Sequence, residues 1–257
     1  MKRAIKISLV VVFVLFLFRY AQIIINYKQV SEQTQQYILS NFTYKEIFYF
    51  TTVGFGHEHN STGDYTYKFL EDTITFKIIG HPSSDNLRFL FKTIDTLNAT
   101  LEFNHLVFEP DTTKPTSISI YFWTDEEWKN NMPDRYYPTA GGCVIPRIYD
   151  NKILTKMDVV LPTDISTPYH QKFIIIQEIT QVLGIFKDSE HERHTVFSDY
   201  FADTCYGPMD LACVKILYNS GLQPGVMQHT FEDALGITDE RTLKEQTKAK
   251  KSIFETN

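Results

Sequence analysis

Basic clusters are missing from this chain of 257 residues. Outside the first few positions no block of Lys and Arg occurs, and the formal net charge is −6 with a pI of about 5.8. Neutralising a phosphate backbone needs a concentrated positive surface, so no nucleic-acid partner is expected. Cysteine is scarce, with three residues, and no His accompanies any of them in a recognisable pattern. None therefore reads as a nucleophile. No GxSxG, P-loop or GxGxxG stretch is present, which removes the best-marked hydrolase and nucleotide-binding chemistries. Internal repeats and low-complexity segments are absent too, and long apolar runs are absent everywhere except at the N-terminus.

What is present is a globular composition, 43% hydrophobic, in a length that suits one domain with a substantial core. Lys2, Arg3 and Lys6 precede an apolar run over residues 7–18, the layout of an export signal. Twelve residues fall short of the roughly 20 that span a bilayer, but Ile23, Ile24 and Ile25 follow Arg19, whose side chain is long enough to snorkel. Residues 1–26 are read as a signal anchor or a cleaved signal peptide. The rest of the chain is then expected outside the cytoplasm, either membrane-anchored or secreted. Such an address permits a disulfide between Cys205 and Cys213, eight apart across Gly207 and Pro208, with Cys143 left over. Three small buried thiols are the alternative.

Residues 27–45 are polar and Gln-rich and read as a stalk, and residues 239–257 as a charged helical tail. Between them, 46–238 reads as one α+β domain. Residues 47–55 and 72–81 read as strands, and a helix capped by Ser84 or Asp85 follows. Residues 101–109 and 117–123 read as two further strands. A long loop follows over 125–142, then a hairpin near Asp150-Asn151 and a last strand over 157–161. A helix and a cysteine-bearing loop come next, and a second helix near 208–219 closes the core. The order predicts a mixed sheet covered by helices.

The helix after the last strand carries QEITQVLGIFKD, residues 177–188. At 100° per residue, Ile175, Ile176, Ile179, Val182, Leu183 and Phe186 form a broad apolar arc. Gln177, Thr180, Gln181 and Gly184 form the remaining stripe, with Glu178 at its edge. That stripe has no Lys or Arg, so it reads as a buried face against a cleft or a polar core contact. Gly184 allows close approach of another segment, or ends the helix.

This stretch is similar to the HExxHxxGxxH/D motif, with Gln at both His positions. The segment 195–226 resembles the turn and helix that follow the Met-turn of matrixin-type proteases, and the order of elements matches as well. Over residues 72–227 the chain thus resembles the zincin-like metalloproteases. It is most similar to an uncharacterised bacterial domain family with QExxQ, a degenerate relative of them. The resemblance implies a zincin-like fold in which the helix ligands fall on Gln177 and Gln181 and the general base on Glu178. The third ligand falls on Lys187, with Asp188 one residue off. Amide oxygens are poor zinc ligands beside imidazole, and without zinc the attacking water keeps a high pKa. No cofactor is therefore expected.

Weaker candidates lie nearby. His191 and His194, with Asp188, Asp199 and Asp203, could rebuild a metal set, or they form a solvated polar loop. His57 and His59 invite the same choice. Trp128, Tyr136 and Tyr137 sit in the long loop where zincins hold substrate strands, or they pack that loop onto the domain. A purely structural role is one reading, and two functions are expected beside it. One is a pseudoenzyme that binds a peptide or protein at the cell envelope. The other is an active peptidase using Glu178 with zinc in an unconventional ligand set.

Overall fold

The computed structural model describes residues 30–56, 64–135, 142–164, 167–189, 192, 194–198 and 204–237. Helix α1 (Glu32–Asn41) starts at the Ser31 side chain, which accepts the Thr34 N–H. Helix α2 (Tyr44–Val53) is closed by a capping box, Glu46 taking the Thr43 N–H at 2.7 Å and Thr43 the Glu46 N–H at 3.3 Å. Both depart from the sequence reading. The strand expected over 47–55 is helical because the capping box overrides the β-propensity of its aromatics. Ile47, Phe50 and Val53 then lie on one fully buried face. The expected stalk also packs onto the domain. Val30, Ile38 and Phe42 are buried in the main core, and α1 lies against helix α7 (Gln228–Leu235), a partner remote in sequence.

Five strands form one sheet: β1 (Thr73–Gly80), β2 (His105–Phe108), β3 (Ile118–Trp123), β4 (Cys143–Asp150) and β5 (Ile153–Pro162). Their spatial order is β2-β1-β3-β5-β4. All neighbours are parallel except β4, which runs antiparallel to β5 at one edge. Asn151 and Lys152, both at positive φ, make the tight turn between them. Helix α3 (Ser84–Thr100), capped by Ser83, connects β1 to β2. The class is α+β with a mixed sheet.

Alternation along the strands separates two cores. Phe76, Ile120, Phe122, Met157, Val159 and Leu161 face the main core with α3 and the later helices. Tyr121, Ile145 and Val160 point the other way and surround Trp128. That tryptophan is 1% exposed on helix α4 (Asp125–Asn131), which a second capping box from Thr124 and Glu127 begins. The expected long loop is thus helical at its start, and Trp128 is a core residue rather than a lining one. Tyr136 and Tyr137 lie outside the described residues.

Helix α5 (Pro168–Gln181) and helix α6 (Pro208–Asn219) complete the layer over the main core. Pro168 and Pro208 open them, where a missing N–H costs nothing. The Cys205–Cys213 bridge does not form. All three cysteines are free, with Cys205 on an exposed loop and Cys213 buried on α6. Pro208 starts the helix between the two, and α6 turns Cys213 into the core. Among the described residues no helix is long and apolar enough to cross a membrane. The N-terminal run and the charged tail lie outside the described residues.

Lys68, 6% exposed, caps α6 from below. Its Nζ donates to the carbonyls of Leu217 (3.1 Å) and Leu222 (2.9 Å) and stands over the Tyr218 ring. Burial pushes its pKa from 10.5 down to about 8. Below pH 8 both folded and unfolded chains hold this proton. Between there and 10.5 the unfolded chain holds more, so stability rises with pH. The phenols of Tyr49, Tyr206 and Tyr218 are raised by burial and act in the opposite sense above pH 10. Unfolding free energy is therefore expected to rise by somewhat under about 1 kcal/mol from pH 7 to 8.5 in denaturant titrations, because at higher pH the buried Cys213 thiol, raised well above 9.0, opposes the gain. A Lys68→Met variant that keeps the same gain would place its origin elsewhere.

Candidate functional site

Thr167 caps α5 by accepting the His170 N–H. From Phe173 onward every residue of α5 is buried, so its polar stripe is largely enclosed. Thr180 donates to the Ile176 carbonyl, which leaves its oxygen to accept from Tyr206 at 2.7 Å. Burial raises the Tyr206 phenol, so it stays protonated as that donor. Gln181 donates its Nε2 to Asp188 at 2.6 Å. Gln177 is 7% exposed, and its side chain hydrogen-bonds to none of the described residues.

The first residues of β4 rest directly on this helix. A Cβ at Gly142 would lie 2.5 Å from Ile174 Cγ2 and 2.9 Å from Glu178 Oε1. One line of α5 (Ile174, Glu178) therefore touches the start of the edge strand. Another line (Thr180) touches Tyr206. Gln177 and Gln181, one turn apart, occupy the strip between those lines.

The end of the helix is fixed from three sides. Gly184 has φ +110, and a Cβ there would meet the Tyr67 carbonyl oxygen at 2.0 Å. Tyr218 of α6 donates its hydroxyl to the Leu183 carbonyl at 2.7 Å and accepts the Phe69 N–H at 3.2 Å. Lys187 turns to Asp64, 2.7 Å away, and not towards Gln181. Beyond, Asp210 is fully buried and accepts from Val196 N (3.1 Å) and Gly207 N (2.7 Å), which ties the returning loop to the start of α6.

The fold thus gathers Gln177, Glu178, Gln181, Gly184 and Asp188 around one buried helix end. Of the remaining weaker metal candidates, one falls among the described residues. His194 is exposed, while His191, Asp199, Asp203, His57 and His59 lie outside the described residues. No group of three His, Cys, Asp or Glu side chains suited to a metal forms among the described residues. Gly142, Tyr206 and Tyr218 were not picked out by the sequence. Gly142 read as part of a loop, and a tyrosine's partner across the fold leaves no local signal.

A family model described as protein of unknown function (DUF2927) matches residues 47–236. The chain belongs to this family. No curated protein matches it. The DUF2927 match takes in all five strands and helices α3 to α7, with every residue of the polar strip and of its supports from Asp64 to Tyr218. Helix α1 precedes it, so the packing of α1 on α7 joins the DUF2927 region to the residues before it.

Proposed function

We propose that this domain is a zincin-like fold turned from cleavage to binding, and that it holds a peptide or protein segment in the cleft beside α5. What carries the reading is the commitment of the donor set. Where the resemblance puts imidazoles, Gln177 and Gln181 offer neutral amides, and Gln181 donates to Asp188. Where it puts a third ligand, Lys187 is ion-paired with Asp64. Neutral amides and an ammonium do not fit zinc, which takes imidazole, thiolate or carboxylate. Glu178 keeps the position of the general base, but no activated water stands beside a base without its metal. The element order of strand, helix, strands and motif helix also supports the zincin-like reading. So does edge strand β4, whose outer side no strand among the described residues pairs. An unpaired edge beside the polar strip of α5 suits an extended peptide. The N-terminal basic and apolar run supports a place at the cell envelope, with the domain outside the cytoplasm.

The purified full chain, in detergent, is expected to carry substoichiometric zinc by elemental analysis and to leave a broad peptide library uncut. Stoichiometric zinc that is lost in Glu178→Ala or in a His191→Ala/His194→Ala double variant, together with cleavage, would establish a peptidase instead.

A further inference from the structure

The polar strip on α5 holds one group with nothing to do. Buried polar side chains are almost always hydrogen-bonded, because an unmade bond in a dry site costs about 1–3 kcal/mol. Thr180 and Gln181 obey this, through Ile176 and Tyr206 and through Asp188. Gln177 is more than nine-tenths buried as a residue and has no such bond to any described residue, but its amide atoms are not sealed from solvent, which leaves them within reach of a ligand. It lies between the line of α5 that meets Gly142 at the start of β4 and the line that meets Tyr206.

The chemistry of a carboxamide limits what could fill that place. It is uncharged, with two N–H donors side by side with a carbonyl acceptor. A carboxylate or an ammonium would satisfy only half of it. A residue of extended backbone offers the matching pair, its own N–H and C=O pointing the same way.

The same chain already makes this pairing at its other sheet edge. Asn98 of α3 donates Nδ2 to the Leu106 carbonyl at 3.0 Å, and its Oδ1 accepts the Leu106 N–H at 2.7 Å. Those groups belong to edge strand β2. Its neighbours turn inward, His105 N reaching the Asp72 carbonyl and Glu109 N the Phe76 carbonyl. An amide side chain thus occupies the outward-facing N–H and C=O of Leu106 on β2. At the opposite edge, beside β4, the free amide belongs to Gln177, and a bound backbone would supply what Leu106 supplies to Asn98.

We propose that Gln177 reads the main chain of the bound peptide, pairing with the N–H and C=O of one residue of an extended segment that enters between β4 and Tyr206. This rests on the binding function proposed above and specifies it. Recognition at this point is of backbone, so it is indifferent to the side chain there. The position of the first lost zinc ligand becomes a ligand-binding position.

A random 12-residue phage-displayed library panned on the full chain would supply the probe peptides. Each selected peptide is then resynthesised with a single backbone N-methyl at every position in turn and titrated against wild type, Gln177→Met and Gln177→Glu. Thermal unfolding of each variant checks that it folds. One N-methyl position is expected to weaken wild-type binding about tenfold and to change Gln177→Met binding less than twofold, the loss of a hydrogen-bonded pair. Gln177→Glu, which keeps an acceptor but loses the donor, is expected to fall with Gln177→Met. If peptides bind but both variants keep wild-type affinity and the same N-methyl profile, the role of Gln177 is overturned and the binding function stands. If the library yields no binder to the wild type, the binding function itself falls.

Discussion

Replacing Gly184 by alanine is expected to cost at least about 3 kcal/mol of unfolding free energy, read from the denaturant midpoint of the full chain. Two effects add. At φ +110 an L side chain is strained in its own backbone. The new Cβ would also sit 2.0 Å from the Tyr67 carbonyl oxygen, a backbone atom with little freedom to retreat. Segment 65–69 is held on its far side by Thr66, which exchanges backbone hydrogen bonds with Gly225 and Val226, and by Lys68, whose carbonyl accepts the Leu154 N–H. The strain therefore spreads to Phe69 and Tyr218 instead of relaxing locally. Gly207→Ala is the control. Its Cβ would meet nothing closer than 3.4 Å and its φ is −88, so it is expected to cost less than about 1 kcal/mol. Equal losses in the two variants would show that close approach at Gly184 does not govern stability.

Tyr218→Phe is expected to cost about 2–4 kcal/mol, although it removes a single oxygen. That oxygen serves two backbone groups at once, the carbonyl of Leu183 and the N–H of Phe69. Tyr218 is 3% exposed, so water does not readily replace it. Amide hydrogen exchange supplies a local readout. The Phe69 amide is expected to exchange faster in the variant, while amides in the β3–β5 ladder keep their protection relative to global stability. Unchanged exchange at Phe69 would mean that this hydroxyl does not hold the helix end. The same bond sets the site, because it fixes where α5 stops and where Lys187 and Asp188 emerge.

The legible parts of the fold were those in which periodicity and burial agree. The alternation in TITFKIIG and SISIYFW and the spacing of Leu90, Ile94 and Leu97 mark elements that bury what their pattern presents. The narrow neutral stripe of α5 was legible for the same reason, since a stripe without Lys or Arg is seldom a solvated one. Misreadings came where one local rule overrode another. Residues 47–55 are aromatic and β-branched, but Thr43 and Glu46 upstream close a capping box, and the helix follows. Residues 125–131 looked like loop beside their Asn and Pro neighbours, yet Thr124 and Glu127 do the same there, and Trp128 goes into the core.

The stalk reading failed for a different reason. Nothing in a Gln-rich segment tells that its helix will find α7, almost 200 residues later. The disulfide reading failed because proximity in sequence ignores a helix that starts between the two cysteines.

By itself, then, the sequence determined the α+β class, most strands and helices, the net negative charge and the presence of Gln177 and Gln181 one turn apart on a single helix. Each of these follows from local pattern or from residue identity. Only the tertiary structure decided that Gln181 is committed to Asp188 and Lys187 to Asp64, that Gly184 admits the Tyr67 backbone, and that Gln177 alone in its strip makes no bond to a described residue. Those are matters of which polar group meets which across the fold. A hydrogen bond requires approach to about 3 Å in a defined direction, and no spacing along a chain encodes that.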